Sequence, residues 1–264
     1  MKIKVNDLAV YLEGDKNNPA VIFVHAFPHD RRMWRKQVDF LAKEFYVATY
    51  DVRGFGESEI GDGQYTMEQY ADDLINLVDT IGLDKPMVCG LSMGGYIIFR
   101  ALEKAEEKFS AAVLMDTRTE ADDNAGKLKR AAAIKEINEK GLRPFAENFV
   151  KNCVAEKSIE DENPGYEKAL EIATSQNPAG VKGALLAMVS RTDTTENLAK
   201  IKIPVAVICG EHDALTPPES MKKIAETIPD AEFHLIENAG HLSNLEQPNA
   251  VNKALYDFAK KIFN

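Results

Sequence analysis

The sequence predicts an α/β fold: a mostly parallel, doubly wound sheet interrupted by a helical cap. Over most of the chain, short apolar runs rich in β-branched residues alternate with segments of helical spacing, which is typical of parallel strands joined by helices. From about Arg118 to Lys200 these apolar runs disappear and charged helical segments replace them. The apolar runs then return. We therefore predict an α/β core formed by residues 1–117 and 200–264, and a cap formed by residues 118–199.

Length and charge restrict the kinds of partner. A chain of 264 residues suits one large α/β domain with an insertion. The net charge of −10 disfavours nucleic acid or an anionic membrane surface as a partner. The first residues are too polar for a signal peptide, and the odd number of cysteines, three, does not form a disulfide framework. We expect a cytoplasmic protein that binds a small molecule and neither nucleic acid nor membrane, and we leave its oligomeric state open.

The individual elements follow from periodicity and from turn and cap residues. The runs Ile3–Val5 and Leu8–Leu12 flank Asn6-Asp7 and predict a hairpin. Further strands are predicted at 20–24, 46–50, 86–91, 111–115, 205–209 and 231–236. Core helices are predicted at 34–45, 66–81, 96–104, 218–228 and 248–263, and cap helices at 122–140, 144–155, 163–175 and 178–190. Five apolar cap positions are expected to roof a pocket, although core packing within the cap explains most of them as well: Phe145, Phe149, Leu185, Leu186 and Met188.

One stretch, Gly90-Leu91-Ser92-Met93-Gly94, joins a predicted strand to a predicted helix through a very tight turn. A non-glycine residue at the tip of such a turn is forced toward positive φ, which requires neighbours without bulky side chains. Gly90 and Gly94 supply that room. The turn is expected to lift the Ser92 hydroxyl above the sheet edge and to aim the helix N–H groups, Met93 first, at negative charge forming there.

An aspartate and a histidine follow two later strands. Asp213 comes after the strand at 205–209, and His241 comes after the strand at 231–236. Since the functional groups of such sheets collect at the carboxyl ends of the strands, we predict that both side chains meet Ser92. A serine hydroxyl is a poor nucleophile at neutral pH. His241 would take its proton, while Asp213 would orient the imidazole and stabilise its charged form.

Attack by a serine also requires hydrogen-bond donors for the oxyanion that develops. The N–H of Met93 is predicted to be one donor. The N–H of Phe27 is predicted to be the second, because the loop after the strand at 20–24 is expected to lie beside the strand that carries Ser92.

Two residues after the strand at 111–115 leave alternatives open. Asp116 also ends a strand and is a rival to Asp213, although Asp213 preserves the usual chain order of nucleophile, acid and histidine. Arg118 has a planar guanidinium suited to a substrate carboxylate, but a salt bridge at the root of the cap explains it equally well.

The other histidines are assigned minor roles. His25 is expected to fix hydrogen bonds of its loop, His234 lies within a strand, and His29 and His212 are expected to be solvated. None has a metal-ligand spacing such as H-E-x-x-H. We predict no metal and no cofactor.

Together these motifs resemble the α/β-hydrolases of the esterase, lactonase and cofactor-free haloperoxidase group. The resemblance covers essentially the whole chain, through His25-Ala26-Phe27-Pro28, Asp51 to Ser58, Gly90 to Gly95, Gly210 to Pro217 and Gly240-His241. Ala26 departs from the family, which usually has glycine there. The serine at position 92 disfavours the dehalogenases and epoxide hydrolases that the chain also resembles, since they carry aspartate at this turn.

The resemblance implies a hydrolase that cleaves small to medium carboxylic esters or lactones through an acyl-enzyme. Two alternatives remain. The loop at Phe27-Pro28 resembles that of haloperoxidase-like members, which implies perhydrolysis by the same residues. Some relatives with this fold keep all three residues but act mainly as small-molecule receptors, and fold does not determine function.

Overall fold

An eight-stranded sheet forms the centre of the structure, a computed structural model that describes residues 1–263. The strands are β1 (Lys2–Val5), β2 (Leu8–Glu13), β3 (Ala20–Val24), β4 (Tyr46–Tyr50), β5 (Met87–Leu91), β6 (Ala111–Met115), β7 (Val205–Gly210) and β8 (Glu232–Ile236). Their order across the sheet is β1-β2-β4-β3-β5-β6-β7-β8. The β1–β2 and β2–β4 pairs are antiparallel and all others are parallel. The predicted fold class is therefore confirmed.

The helices flank the sheet and form the cap. They are α1 (Arg35–Leu41), α2 (Met67–Ile81), α3 (Met93–Ala105), α4 (Asn124–Lys140), α5 (Leu142–Lys151), α6 (Glu156–Glu160), α7 (Pro164–Thr174), α8 (Pro178–Val189), α9 (Pro218–Thr227), α10 (Ser243–Glu246) and α11 (Pro248–Phe263). The start and end of α2 are the predicted ones: the Thr66 hydroxyl accepts the N–H of Gln69, and Gly82 ends the helix in the left-handed conformation.

Some short elements differ from the predictions. The helix predicted at 34–45 is instead a 3₁₀ helix, Arg31–Trp34, followed by α1, which ends at Leu41. The short helices α6 and α10 were not predicted, because one turn of helix is too brief to show a hydrophobic period. Among residues 1–263, every helix is either too short or too polar to cross a lipid bilayer.

The central strands are buried on both faces. Every residue of β3, β5, β6 and β7 is buried, which explains why these segments are continuously apolar in sequence rather than alternating. The carboxyl ends of β5, β6, β7 and β8 consequently lie side by side at one edge of the sheet, with β6 between β5 and β7. The residues that follow these strands are brought together there.

The cap packs against the core through a close backbone contact. Residues 118–199 contribute α4 to α8, and no strand in the described part of the chain. A Cβ atom on Gly180, in α8, would lie only 1.8 Å from the carbonyl oxygen of Gly54, in the loop after β4. The helix can approach this loop so closely only because residue 180 has no side chain.

The Gly180→Ala substitution should therefore destabilise the protein by roughly 1–3 kcal/mol, because the added methyl group pushes the cap away from the core. We expect the melting temperature to fall by about 2–4 °C for each kcal/mol. Gly126→Ala in α4 is the matched control, since its Cβ would meet only the Asp122 side chain, at 3.2 Å. Thermal unfolding followed by circular dichroism measures both variants, and equal melting temperatures would contradict the proposed contact.

Candidate active site

Ser92 occupies a strained turn between β5 and α3. Its backbone has φ 55° and ψ −111°, well outside the regions that serine prefers. The Ser92 N–H donates to the carbonyl of Met115 at the end of β6, at 2.9 Å. A Cβ atom on Gly94 would lie 2.3 Å from the carbonyl oxygen of Val24, so only glycine lets α3 begin this close to β3.

The structure brings Ser92, His241 and Asp213 into one hydrogen-bonded chain. The Ser92 Oγ lies 2.8 Å from His241 Nε2, and His241 Nδ1 lies 2.8 Å from Asp213 Oδ2. Asp213 and His241 are almost completely buried, whereas Ser92 is partly exposed. This geometry allows proton transfer from the serine to the imidazole.

The loop after β7 prepares Asp213 to carry a negative charge. Its Oδ1 accepts the N–H groups of Leu215, at 2.8 Å, and Thr216, at 3.0 Å, and its Oδ2 accepts the Thr216 hydroxyl. Burial by itself disfavours the charged form, but attraction to His241 and the hydrogen bonds from His241 and Thr216 hold the pKa of Asp213 below its ordinary value. The carboxylate is thus suited to pair with an imidazolium.

The loop after β3 is anchored by His25 and supplies Phe27. His25 is fully buried, and burial lowers its pKa to about 4, so its imidazole is neutral near pH 7. Its Nε2 accepts the N–H of Val52 at 2.8 Å, which leaves Nδ1 to donate to the carbonyl of Ala26 at 3.0 Å. His25 therefore joins this loop to the one after β4.

The predicted oxyanion donors remain a prediction. Phe27 lines the cavity that contains Ser92, and Met93 is the first residue of α3. Within residues 1–263, neither of these backbone N–H groups has a protein acceptor in hydrogen-bonding range. Both are thus available for an oxyanion.

His29 differs from the expectation. It was predicted to be solvated, but it is fully buried, and neither ring nitrogen has a hydrogen-bond partner among the described residues. Burial lowers its pKa to about 4. The sequence pattern was misleading because charged residues follow His29 while the turn itself folds inward. His212, by contrast, is exposed as expected.

Asp116, the rival acid, bonds groups other than His241. Its Oδ1 accepts the N–H of Gly210 at 2.8 Å, and its Oδ2 accepts the hydroxyl of Ser243 at 2.6 Å. It thereby ties the end of β7 to the loop that carries the histidine. Burial, together with the nearby charge of Asp213, raises the pKa of Asp116 well above its ordinary value.

Asp116, Cys209 and Asp213 have potential ligand atoms within 4.8 Å of one another, an arrangement that invites comparison with a metal centre. The oxygens of both carboxylates already accept hydrogen bonds from protein donors, and burial raises the pKa of the Cys209 thiol. We therefore interpret the cluster as a network that positions the two loops.

Glu246 is a site residue that sequence reasoning missed. It is buried, and its Oε1 accepts the N–H of Gly240 at 2.9 Å. Its Oε2 accepts the N–H of Ala155 and the hydroxyl of Ser158, at 2.8 and 2.7 Å. The N–H of His241 also donates to a cap carbonyl, that of Cys153, at 2.7 Å. The histidine loop is consequently held by the cap as well as by the sheet.

A cavity of about 1030 Å³ lies between the core and the cap and includes Ser92 and His241 in its lining. Four of the five apolar cap positions named from the sequence line it: Phe145, Phe149, Leu185 and Met188. The fifth, Leu186, was predicted wrongly, since it is half exposed on the outer face of α8.

Arg118 also lines the cavity. Among the described residues, no carboxylate oxygen lies within 4 Å of its guanidinium, so the alternative of a salt bridge at the root of the cap finds no partner there.

Comparison with known proteins places the chain in a family. The family model for the alpha/beta hydrolase fold matches residues 19–248, so the protein belongs to the α/β-hydrolase fold family. A 3-oxoadipate enol-lactonase of Acinetobacter baylyi is 28% identical, over 94% of this chain and 91% of the relative. A thermophilic esterase from Thermogutta terrifontis has a TM-score of 0.95 at 35% identity, with both chains fully covered.

Other relatives carry different activities in their names. A putative non-heme bromoperoxidase of Mycobacterium tuberculosis is 28% identical, over 90% of this chain and 92% of the relative. The crystal structure of an enol-lactonase from Burkholderia xenovorans has a TM-score of 0.89 at 25% identity, covering 98% of this chain and all of that one. The resemblance to the esterase, lactonase and haloperoxidase group is therefore confirmed.

The burial of Asp116 predicts how its contribution to stability depends on pH. In the folded state it retains its proton above the unfolded pKa of about 3.9. Unfolding then releases this proton, so the contribution of Asp116 to stability falls as the pH rises from the unfolded toward the folded pKa. Asp116→Asn removes this term, and we expect its melting temperature, relative to the parent, to increase as the pH rises above the unfolded pKa of about 3.9.

Thermal unfolding at several pH values measures the effect. Asp84→Asn is the control, since Asp84 is exposed, and its melting temperature should follow that of the parent. A constant difference between Asp116→Asn and the parent over this range would show that Asp116 is ionised throughout.

The contacts of Glu246 predict a second effect on stability. In Glu246→Gln an amide NH₂ replaces one acceptor oxygen, which leaves at least one buried donor without a partner at a cost of roughly 1–3 kcal/mol. We expect a lower melting temperature. Glu167→Gln, on the exposed side of α7, should lie within about 0.5 kcal/mol of the parent. If the two variants were equally stable, the hydrogen bonds by which Glu246 joins the cap to the histidine loop would not contribute to stability.

Proposed function

We propose that this protein is a serine hydrolase of small to medium carboxylic esters or lactones and that it acts through an acyl-enzyme. The hydrogen-bonded chain from Ser92 Oγ through His241 to Asp213, with both distances at 2.8 Å, carries this proposal. The names of the relatives support it, since they include enol-lactonases and esterases.

In the first half of the reaction, Ser92 Oγ attacks the carbonyl carbon of the ester while its proton passes to His241 Nε2. The tetrahedral oxyanion accepts hydrogen bonds from the N–H groups of Met93 and Phe27. The ionised Asp213 stabilises the imidazolium. The intermediate then collapses, His241 protonates the departing alkoxide, and the acyl group stays on Ser92.

In the second half, water takes the place of the alcohol. His241 removes a proton from the water as it attacks the acyl carbon, a second oxyanion forms, and its collapse releases the carboxylic acid. The proton returns to Ser92 Oγ. In a lactone, the alcohol and the acid remain in one molecule, so the product of the same steps is a hydroxy acid or, from an enol lactone, a keto acid.

The aromatic lining of the cavity supports a substrate with an apolar portion. Three phenylalanines, Phe27, Phe145 and Phe149, pack edge to face or stacked, with ring centroids 5.4–6.3 Å apart, and line the cavity that contains Ser92. Such a surface suits an aliphatic portion of the substrate.

A second candidate activity uses hydrogen peroxide in place of water in the second half, which yields a peracid. The names of several relatives favour this alternative, among them a bifunctional esterase/perhydrolase of Acinetobacter calcoaceticus that is 26% identical over 94% of both chains. Peracid formation measured beside ester hydrolysis, over a series of acyl donors, distinguishes the two activities.

The Ser92→Ala variant should lose ester hydrolysis by roughly 10⁴-fold or more while retaining the fold, because the nucleophile is removed. Steady-state hydrolysis of p-nitrophenyl esters and lactones of graded acyl size measures this loss. Ser220→Ala, also in the cavity lining, is the control and should retain most of the activity.

Mass spectrometry with a slowly deacylated ester should detect acylated Ser92 in the parent. Undiminished hydrolysis by Ser92→Ala would refute the proposal, and a single turnover without steady release would favour a receptor.

A further inference from the structure

Three charged side chains in the lining of the active-site cavity have partners of opposite charge. Arg130 pairs with Asp122, and Asp122 also pairs with Arg191 at 2.9 Å. Glu136 pairs with Lys140 at 3.6 Å. Three further charged residues of the lining, Glu120, Asp123 and Lys129, are exposed to solvent. Their fields are therefore weakened by water and salt.

Arg118 is different from all of these. It is partly buried in the cavity lining, and within residues 1–263 it has no carboxylate at ion-pair distance. Arg130, the other partly buried arginine of this lining, is paired with Asp122, whereas Arg118 has no counter-charge within the described chain. Although the protein has a net charge of −10, this guanidinium beside the cavity has no acidic partner among the described residues, which leaves its charge free for an anionic ligand.

The position of Arg118 is determined by the two loops that carry the nucleophile and the acid. Its Nη2 donates to the carbonyl of Leu215, whose own N–H donates to Asp213 Oδ1 at 2.8 Å. The preceding residue, Thr117, donates its hydroxyl to the carbonyl of Ser92 at 2.8 Å. The guanidinium is consequently tied to the loop that carries Asp213, and the backbone of Arg118 lies next to a residue bonded to Ser92.

The bond to Leu215 occupies only one of the N–H groups of the guanidinium. The fork geometry of arginine matches a carboxylate, and a side chain that is already held in place loses little entropy when it binds one. Ser92 and Arg118 line the same cavity, so one substrate molecule can contact both side chains.

We propose that Arg118 forms an anion subsite, which selects esters and lactones carrying a second, ionised carboxyl group, such as half-esters of dicarboxylic acids, over neutral ones. This inference rests on the proposed hydrolase function. Arg118 binds the part of the substrate that does not react, and the phenylalanines contact its aliphatic chain. The subsite therefore determines which substrates bind and takes no part in the bond-breaking steps.

The test compares two methyl esters of equal size, monomethyl glutarate and its neutral amide counterpart, methyl 5-amino-5-oxopentanoate. Hydrolysis is followed by titration of the acid released at constant pH. We expect the parent to favour the half-ester by about tenfold or more in kcat/KM, mainly through KM, as for a charge-assisted hydrogen bond. In Arg118→Met this ratio should fall to about one, and Arg118→Lys should retain part of it.

Lys129→Met is the matched control, since it removes a cation from the exposed rim of the same cavity, and it should keep the ratio of the parent. If Arg118 only supports the loop at Leu215, its variants will lower kcat/KM for both esters in proportion and leave the ratio unchanged. That result, or a parent that hydrolyses both esters equally, would overturn the subsite.

Binding measurements separate this proposal from the proposed function. Calorimetry with glutarate and the Ser92→Ala variant requires no catalysis, and we expect binding that is lost in the Ser92→Ala, Arg118→Met double variant. Glutaramide, the neutral diamide, should bind neither to Ser92→Ala nor to the double variant. Glutarate that binds equally with and without Arg118, or not at all, would refute the subsite. Hydrolysis of neither ester, with Arg118-dependent binding of glutarate, would refute the hydrolase function alone.

Discussion

The whole site depends on one unfavourable backbone conformation, that of Ser92. A non-glycine residue at positive φ with this ψ costs on the order of 1–3 kcal/mol, so the surrounding structure must hold it in place. The N–H of Ser92 is bonded to β6, its carbonyl accepts the Thr117 hydroxyl, and Gly94 lets α3 approach β3. The buried sheet thus supplies the energy that keeps a polar side chain raised above its edge.

The histidine is positioned differently, because it comes from a loop. Its backbone N–H is bonded to the cap at Cys153, and Glu246 joins the same loop to the start of α6. The part of the cap between α5 and α6 is therefore hydrogen-bonded directly to the loop that carries His241. Helix α4, in contrast, has Ile137 as its one buried residue and contributes to the roof of the cavity. Different parts of one insertion thus support the site and enclose the cavity.

Two buried aspartates lie beside each other, and their surroundings shift their pKa values in opposite directions. Asp213 has His241 and several donors to stabilise its charge, whereas Asp116 is deeper and lies in the field of Asp213. The carboxylate of Asp213 can then stabilise charge on the histidine, while the carboxyl group of Asp116 links β7 to the histidine loop. Chain order alone favoured Asp213, but the hydrogen bonds show what each group does.

The amino-acid sequence by itself determined the fold class, the strands of the sheet, the helices of ten residues or more, and the strand ends at which Ser92, Asp213 and His241 lie. These features depend on local periodicity and on turn residues, and the position at a strand end follows from the parallel sheet. Only the tertiary structure decided that His29 is buried, that Leu186 faces solvent, and that Arg118 bonds Leu215 instead of a carboxylate. The role of Glu246 was also invisible, since its partners lie 6 to 91 residues away along the chain. Burial and hydrogen-bond partners of single side chains arise from contacts between distant segments, which no local pattern encodes.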